Sequence, residues 1–244
     1  MLLALGATVA LMPSVSKASI VGSAHDFYTG PSTNLWAAGN APKASSPSVC
    51  SECHDVHKAP TSAYSGGPSL GPLWVHAPSS QVYVTYDQAG SETFNALGLN
   101  VSLGNSSKAC LSCHDGTVGI NQKLTLNIDG TLNTTTSWVG STNQGAITLA
   151  GQAPYQLAIN GNDLTHVHPI GISYDDAVTK LNALNPGTAE LNPKSGTFLT
   201  STLPIKSQLK GLGQTQMECS TCHDIHNTRN IPHGQSLCLS CHNK

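Results

Sequence analysis

Residues 50–57 read CSECHDVH and residues 219–226 read CSTCHDIH; between and after them, 110–116 read CLSCHDG and 238–244 read CLSCHNK. All eight cysteines of the chain, Cys50, Cys53, Cys110, Cys113, Cys219, Cys222, Cys238 and Cys241, fall into these four C-x-x-C pairs. The residue after each pair is a histidine: His54, His114, His223 and His242. With 11 histidines in 244 residues, four such coincidences would arise by chance roughly four times in a million.

Two cysteines at i and i+3 on one helical turn can reach the two vinyl groups along one porphyrin edge, and the next histidine then lies under the iron. C-x-x-C-H is therefore read as covalent c-type haem attachment. Four copies predict four covalently bound haems (haem c, iron), with the eight cysteines as attachment points and His54, His114, His223 and His242 as proximal ligands. Zinc knuckles use paired cysteines but do not require a histidine after each pair. A disulfide bridging residues three apart closes almost no loop. A thioredoxin-like motif needs a single pair in a βαβ setting.

The motifs repeat in order. CSECHDVH then CLSCHDG in the first half correspond to CSTCHDIH then CLSCHNK in the second, each preceded by a histidine, His25 or His168. This pattern is a duplicated dihaem module, predicting a first module over 19–118, an insertion of loop and short strand over 119–161 and a second module over 162–244. Residues 1–18 form an apolar stretch ending in Ser16-Lys17-Ala18, the form of an export signal cleaved after Ala18.

Seven histidines remain for distal positions, while Met217 is the single methionine past the signal. Bis-histidyl iron at every haem is thus affordable, whereas histidine–methionine ligation is available to one at most. His57 and His226 each follow a proximal histidine by three residues. The same turn cannot reach both faces of one porphyrin, so each is a candidate distal ligand to a haem other than its own. His25 and His168 are the other two, with His166 a rival to His168. His76, beside Trp74, is a fifth candidate. His233 and His166 are expected to face solvent or bond propionates.

A hydrophobic content of 39% with 5% aromatics is thin for a core made of protein alone. The fold class expected is therefore mostly irregular chain with short helices and a few short strands, organised by haem. Residues 81–88 and 123–132 alternate as short strands or hairpins, and 173–184 form a helix capped by Ser173 and stopped at Asn185-Pro186. Residues 58–72 and 130–147 read as surface loops. The formal charge of −2 lacks the basic footprint that nucleic acid requires, and no segment approaches the length of a membrane span.

The strings SAHDF, CSECHDVH, PLWVHA and CLSCHDGTVG, then HPIGISYD, CSTCHDIH and SLCLSCHNK, resemble the paired-CXXCH, cytochrome c3-like multihaem family. More narrowly, they are similar to tetrahaem outer-surface cytochromes of the OmcE kind, over roughly 21–118 and 162–244. The family shows one histidine before its HPI turn, so His166 is a departure. The resemblance implies bis-histidyl haems in close stacks and extracellular electron transfer by a protein that polymerises head to tail and is not an enzyme. It also implies other multihaem cytochromes or extracellular acceptors as electron partners. A monomeric periplasmic shuttle and a reductase with one open haem are the alternatives. His25, near the mature N-terminus, either ligates within its own chain or reaches into a neighbouring protomer.

Overall fold

A computed structural model describes residues 20, 25, 50, 53–55, 73–118, 157–197, 204–226 and 235–243, together with the backbone of 122–126 and 132–136. Among the described residues, irregular chain alternates with short helices and two two-stranded antiparallel sheets. The helices are α1 (Glu92–Leu97), α2 (Asn105–His114), α3 (Tyr174–Leu184), α4 (Cys219–Cys222) and α5 (Gln235–Cys241). One sheet pairs β1 (Gln122–Leu126) with β2 (Leu132–Thr136); the other pairs β3 (Ile172–Ser173) with β4 (Gln216–Met217). No described helix is long and apolar enough to cross a membrane.

Helix α3 forms as its sequence dictates. The Ser173 hydroxyl accepts the Asp176 amide at 3.3 Å, which satisfies one of the donors a helix start leaves open, and the run ends at Asn185. Tyr174 and Ala177 turn inward, with Val178 and Leu181 packed beside them. Leu184, expected on that face, is half exposed because it lies in the last, unpacked turn.

Helix α1 was not foreseen, although its punctuation is local. Ser91 accepts the Phe94 amide, and Gly98, at φ +55°, closes the helix in the left-handed conformation that glycine tolerates. The strand expected over 81–88 does not form. Val84 makes one bridge to the 162–164 segment, and the Thr85 hydroxyl then bonds the Asp87 carboxylate at 2.6 Å while Gln88 N–H returns to Thr85 O, coiling 86–88 into a 3-10 turn. Local side-chain bonding of this kind competes with sheet extension. Conversely, β2 occupies part of the stretch expected to be loop. Its sequence LNTTT is rich in β-branched threonine, which suits a pleated strand. The 58–72 loop lies outside the described residues.

One apolar core gathers Phe94 and Leu99 from the first half with Ile172, Tyr174, Ala177, Leu191, Ile205, Leu209, Met217 and Cys241 from the second. Its spine is the run Val101, Ile172, Met217, held side by side by the Val101–Ile172 bridge and the β3–β4 pairing. A second cluster of Leu111, Ala158 and Leu164 fastens α2 to the segment leading to His168. These two clusters bring three C-x-x-C-H turns and the His168 segment into one neighbourhood.

Candidate functional site

Each described motif is a single helical turn. The histidine amide donates to the first cysteine's carbonyl at 2.9 Å in His54–Cys50, 2.9 Å in His223–Cys219 and 2.8 Å in His242–Cys238, while Cys110 through His114 form the last turn of α2. At 3.6 residues per turn, such a bond sets both cysteines of a pair and the following histidine on neighbouring positions of one helical surface. The first turn is anchored outside itself as well: Val75 N–H donates to Cys53 O, and Asp55 N–H to Leu73 O, both at 2.9 Å. The fourth is anchored by Asn192 N–H to Cys241 O and Asn243 N–H to Glu190 O. Among the described residues Cys110, Cys113, Cys219, Cys222, Cys238 and Cys241 carry no disulfide.

The motif histidines His114, His54 and His242 each stand beside a second histidine. The His25 and His114 ring centroids lie 6.1 Å apart, those of His226 and His54 6.1 Å, and those of His168 and His242 6.3 Å. Two metal–imidazole bonds of about 2 Å and two nitrogen-to-centroid distances of about 1.1 Å put centroids about 6.2 Å apart across one six-coordinate metal. The pairs therefore fit an iron held axially by two imidazoles. Among the described residues no group of three or more histidine, cysteine or acidic side chains is placed to hold a metal ion; a haem iron would take only its two axial ligands from the protein.

The tautomers agree with that fit. His168 Nδ1 lies 2.9 Å from the carbonyl of Pro169, and since a carbonyl only accepts, Nδ1 carries the hydrogen and Nε2 the lone pair that a metal needs. Burial, then the charges of His114 and His223, push His25 down to about 4, so it is neutral and ligand-competent at neutral pH. Trp74 stands edge-on to His54, centroids 5.7 Å apart, and its buried Nε1 has no hydrogen-bond partner among the described residues. A buried donor of this kind needs an acceptor, which a haem propionate would supply.

His76 is also buried, but it stands against a cysteine. Its Nδ1 lies 3.0 Å from Ala77 O and 3.1 Å from Ser112 Oγ, whose own hydrogen goes to Ala109 O, and its Nε2 lies 3.3 Å from Cys113 Sγ. His166 is exposed on the loop of Asp163, whose carboxylate it helps hold below the usual range after the Thr165 bonds; it is His168 that meets His242. His57 and His233 lie outside the described residues. Met217 is buried in the apolar core, not turned toward a motif histidine.

The sulphurs form a file. Burial and then the nearby Cys53 push the Cys113 thiol up; the hydrogen bond to Cys219 and then burial push Cys110 up, while that same bond draws Cys219 down; burial and then Cys241 push Cys222 up to about 11. Motif one therefore neighbours motif two, two touches three, and three neighbours four. Sequence reading missed two buried carboxylates beside this file. Asp115 accepts from Tyr83 Oη at 2.9 Å and from the Thr117 amide and hydroxyl. Glu218 joins α2 to α4. The CHD string marks Asp115 in the sequence; nothing local marks Glu218.

No protein-family model matches the chain, and no curated protein matches its sequence.

Proposed function

We propose that the chain is a tetrahaem c-type cytochrome whose work is electron transfer. The observation that carries this reading is the set of three histidine pairs at 6.1–6.3 Å, each pairing a C-x-x-C-H histidine with one from elsewhere in the chain. Cys50/Cys53, Cys110/Cys113, Cys219/Cys222 and Cys238/Cys241 would each hold one haem by thioether bonds, with His54, His114, His223 and His242 as proximal ligands. His226, His25 and His168 would be the distal ligands to the first, second and fourth, which leaves His57, the other distal candidate, for the third. Bound haem supplies a reversible one-electron iron couple.

The chain's own residues do the rest. Held by thioether bonds and by two imidazoles, such a haem would be left no position for a substrate, which disfavours substrate chemistry and suits a group that only gains and loses an electron. Histidine at both axial positions keeps potentials low, since methionine is the ligand that raises them. The file of cysteine pairs keeps neighbouring haem edges close enough for electrons to pass along the chain. An exported, extracellular setting and head-to-tail polymerisation follow from the resemblance. Against polymerisation through His25, the within-chain His25–His114 pair favours a self-contained protomer and hence the shuttle reading.

A pyridine haemochrome assay of the mature protein is expected to return four haems per chain, with only low-spin ferric signals in EPR. Two or fewer haems would sink the reading. Electron microscopy and size exclusion of the same material separate filament from monomer.

A further inference from the structure

The first cysteines of motifs two and three meet at a buried carboxylate. Glu218, 2% exposed, immediately precedes Cys219. Its Oε1 accepts the Gly104 amide at 2.9 Å, and its Oε2 accepts the hydroxyl of Ser107, which is fully buried. Ser107 in turn accepts the Cys219 amide at 3.0 Å, and Ser220 bonds Ser106 at 2.9 Å. Ser107 lies one turn before Cys110 on α2, so one carboxylate stands beside the attachment sulphurs of two motifs. A side chain at Gly104 would collide with it, the added carbon falling 2.6 Å from Oε1.

Among the described residues no lysine, arginine or histidine pairs with Glu218. Its carboxylate is met by the Gly104 and Ser107 bonds, by a capping bond from the Thr221 amide and by the positive end of α2. A buried carboxylate held this way is costly unless further positive charge lies nearby. Oxidation of a haem iron adds one positive charge, which such a carboxylate stabilises through a medium of low dielectric.

Resting on the tetrahaem reading above, we propose that Glu218 is a fixed negative charge shared by the haems of motifs two and three, lowering the potentials of that central pair relative to the outer two. Electrons entering at either end would then meet their energetic rise at the middle of the file. Charge near a haem is among the established determinants of its potential.

The test is a spectroelectrochemical titration of the four-haem protein and its Glu218→Gln variant, which keeps the shape and one of the two acceptor oxygens but removes the charge. Two of the four midpoint potentials are expected to rise while two stay in place. Glu218→Asp, which keeps the charge, is expected to stay near the parent. Unchanged potentials in Glu218→Gln, or equal shifts in the Gln and Asp variants, would overturn the proposal. If the Gln variant does not mature, Ser107→Ala removes one donor, leaves the charge less neutralised and should lower the same two potentials; a rise or no change overturns it. Fewer than four haems in the parent protein would instead refute the underlying reading.

Discussion

The imidazole of His226, in the third motif's string, lies nearly parallel to that of His54 in the first, with centroids 6.1 Å apart and planes at 29°. On the tetrahaem reading His226 would not serve the haem of its own turn, where His223 would be the ligand, and the structure places it beside a histidine in the other half of the chain. His226→Ala should therefore keep four covalent haems yet convert one iron to a high-spin form that binds carbon monoxide when reduced. Low-spin signals from all four irons in this variant would remove His226 from the ligand set.

Met217 separates core from ligand. It is 6% exposed and packs among Ile172, Tyr174 and Leu209. Met217→Ala should destabilise the protein by about 2–5 kcal/mol through the cavity it leaves while the EPR spectrum stays that of the parent. A new high-spin signal would instead make Met217 a ligand.

Gly171 holds the His168 segment against both halves of the fold. It sits at φ +75°, donates to Met217 O at 2.7 Å and accepts from Ser102 N–H at 2.8 Å. A methyl group there would fall 2.9 Å from the backbone of Ser102 and Leu103, and neither can yield. Gly171→Ala should cost about 1–3 kcal/mol from conformation alone, with further loss from the clash. Thermal melting reads this, and the iron facing His242 should be the first to turn high-spin on heating.

The acid side of stability should carry the mark of His25. Its value is lowered from 6.5 to about 4 by burial, then by His114 and His223, so the unfolded chain binds this proton more readily than the folded one. The stabilisation from its neutral form is complete above 6.5 and is lost as pH falls from 6.5 toward about 4, and iron bound to the same ring would carry that loss to still lower pH. Urea midpoints measured across that window should fall more steeply for the parent than for His25→Ala, and equal slopes would contradict this.

That each C-x-x-C-H string closes as one turn was legible from the sequence alone, because its geometry is local. A C-x-x-C-H string contains its own geometry: one turn, one backbone bond from histidine to cysteine, and the same outcome at His54, His223 and His242. The cap and stop of α3 were legible for the same reason. Pairing was not. That His226 and His223 cannot serve one haem follows from a single turn, but that His226 stands beside His54, that His168 and not His166 meets His242, and that His25 stays beside His114 depend on which segments pack together. The Leu111–Ala158–Leu164 cluster and the Val101–Ile172–Met217 run decide those neighbours. Glu218 shows the same division: in sequence it is an ordinary acid before a cysteine, and only packing of α2 against α4 removes it from water and sets it between two motifs. Burial and proximity belong to the folded chain as a whole, and no window of residues contains them.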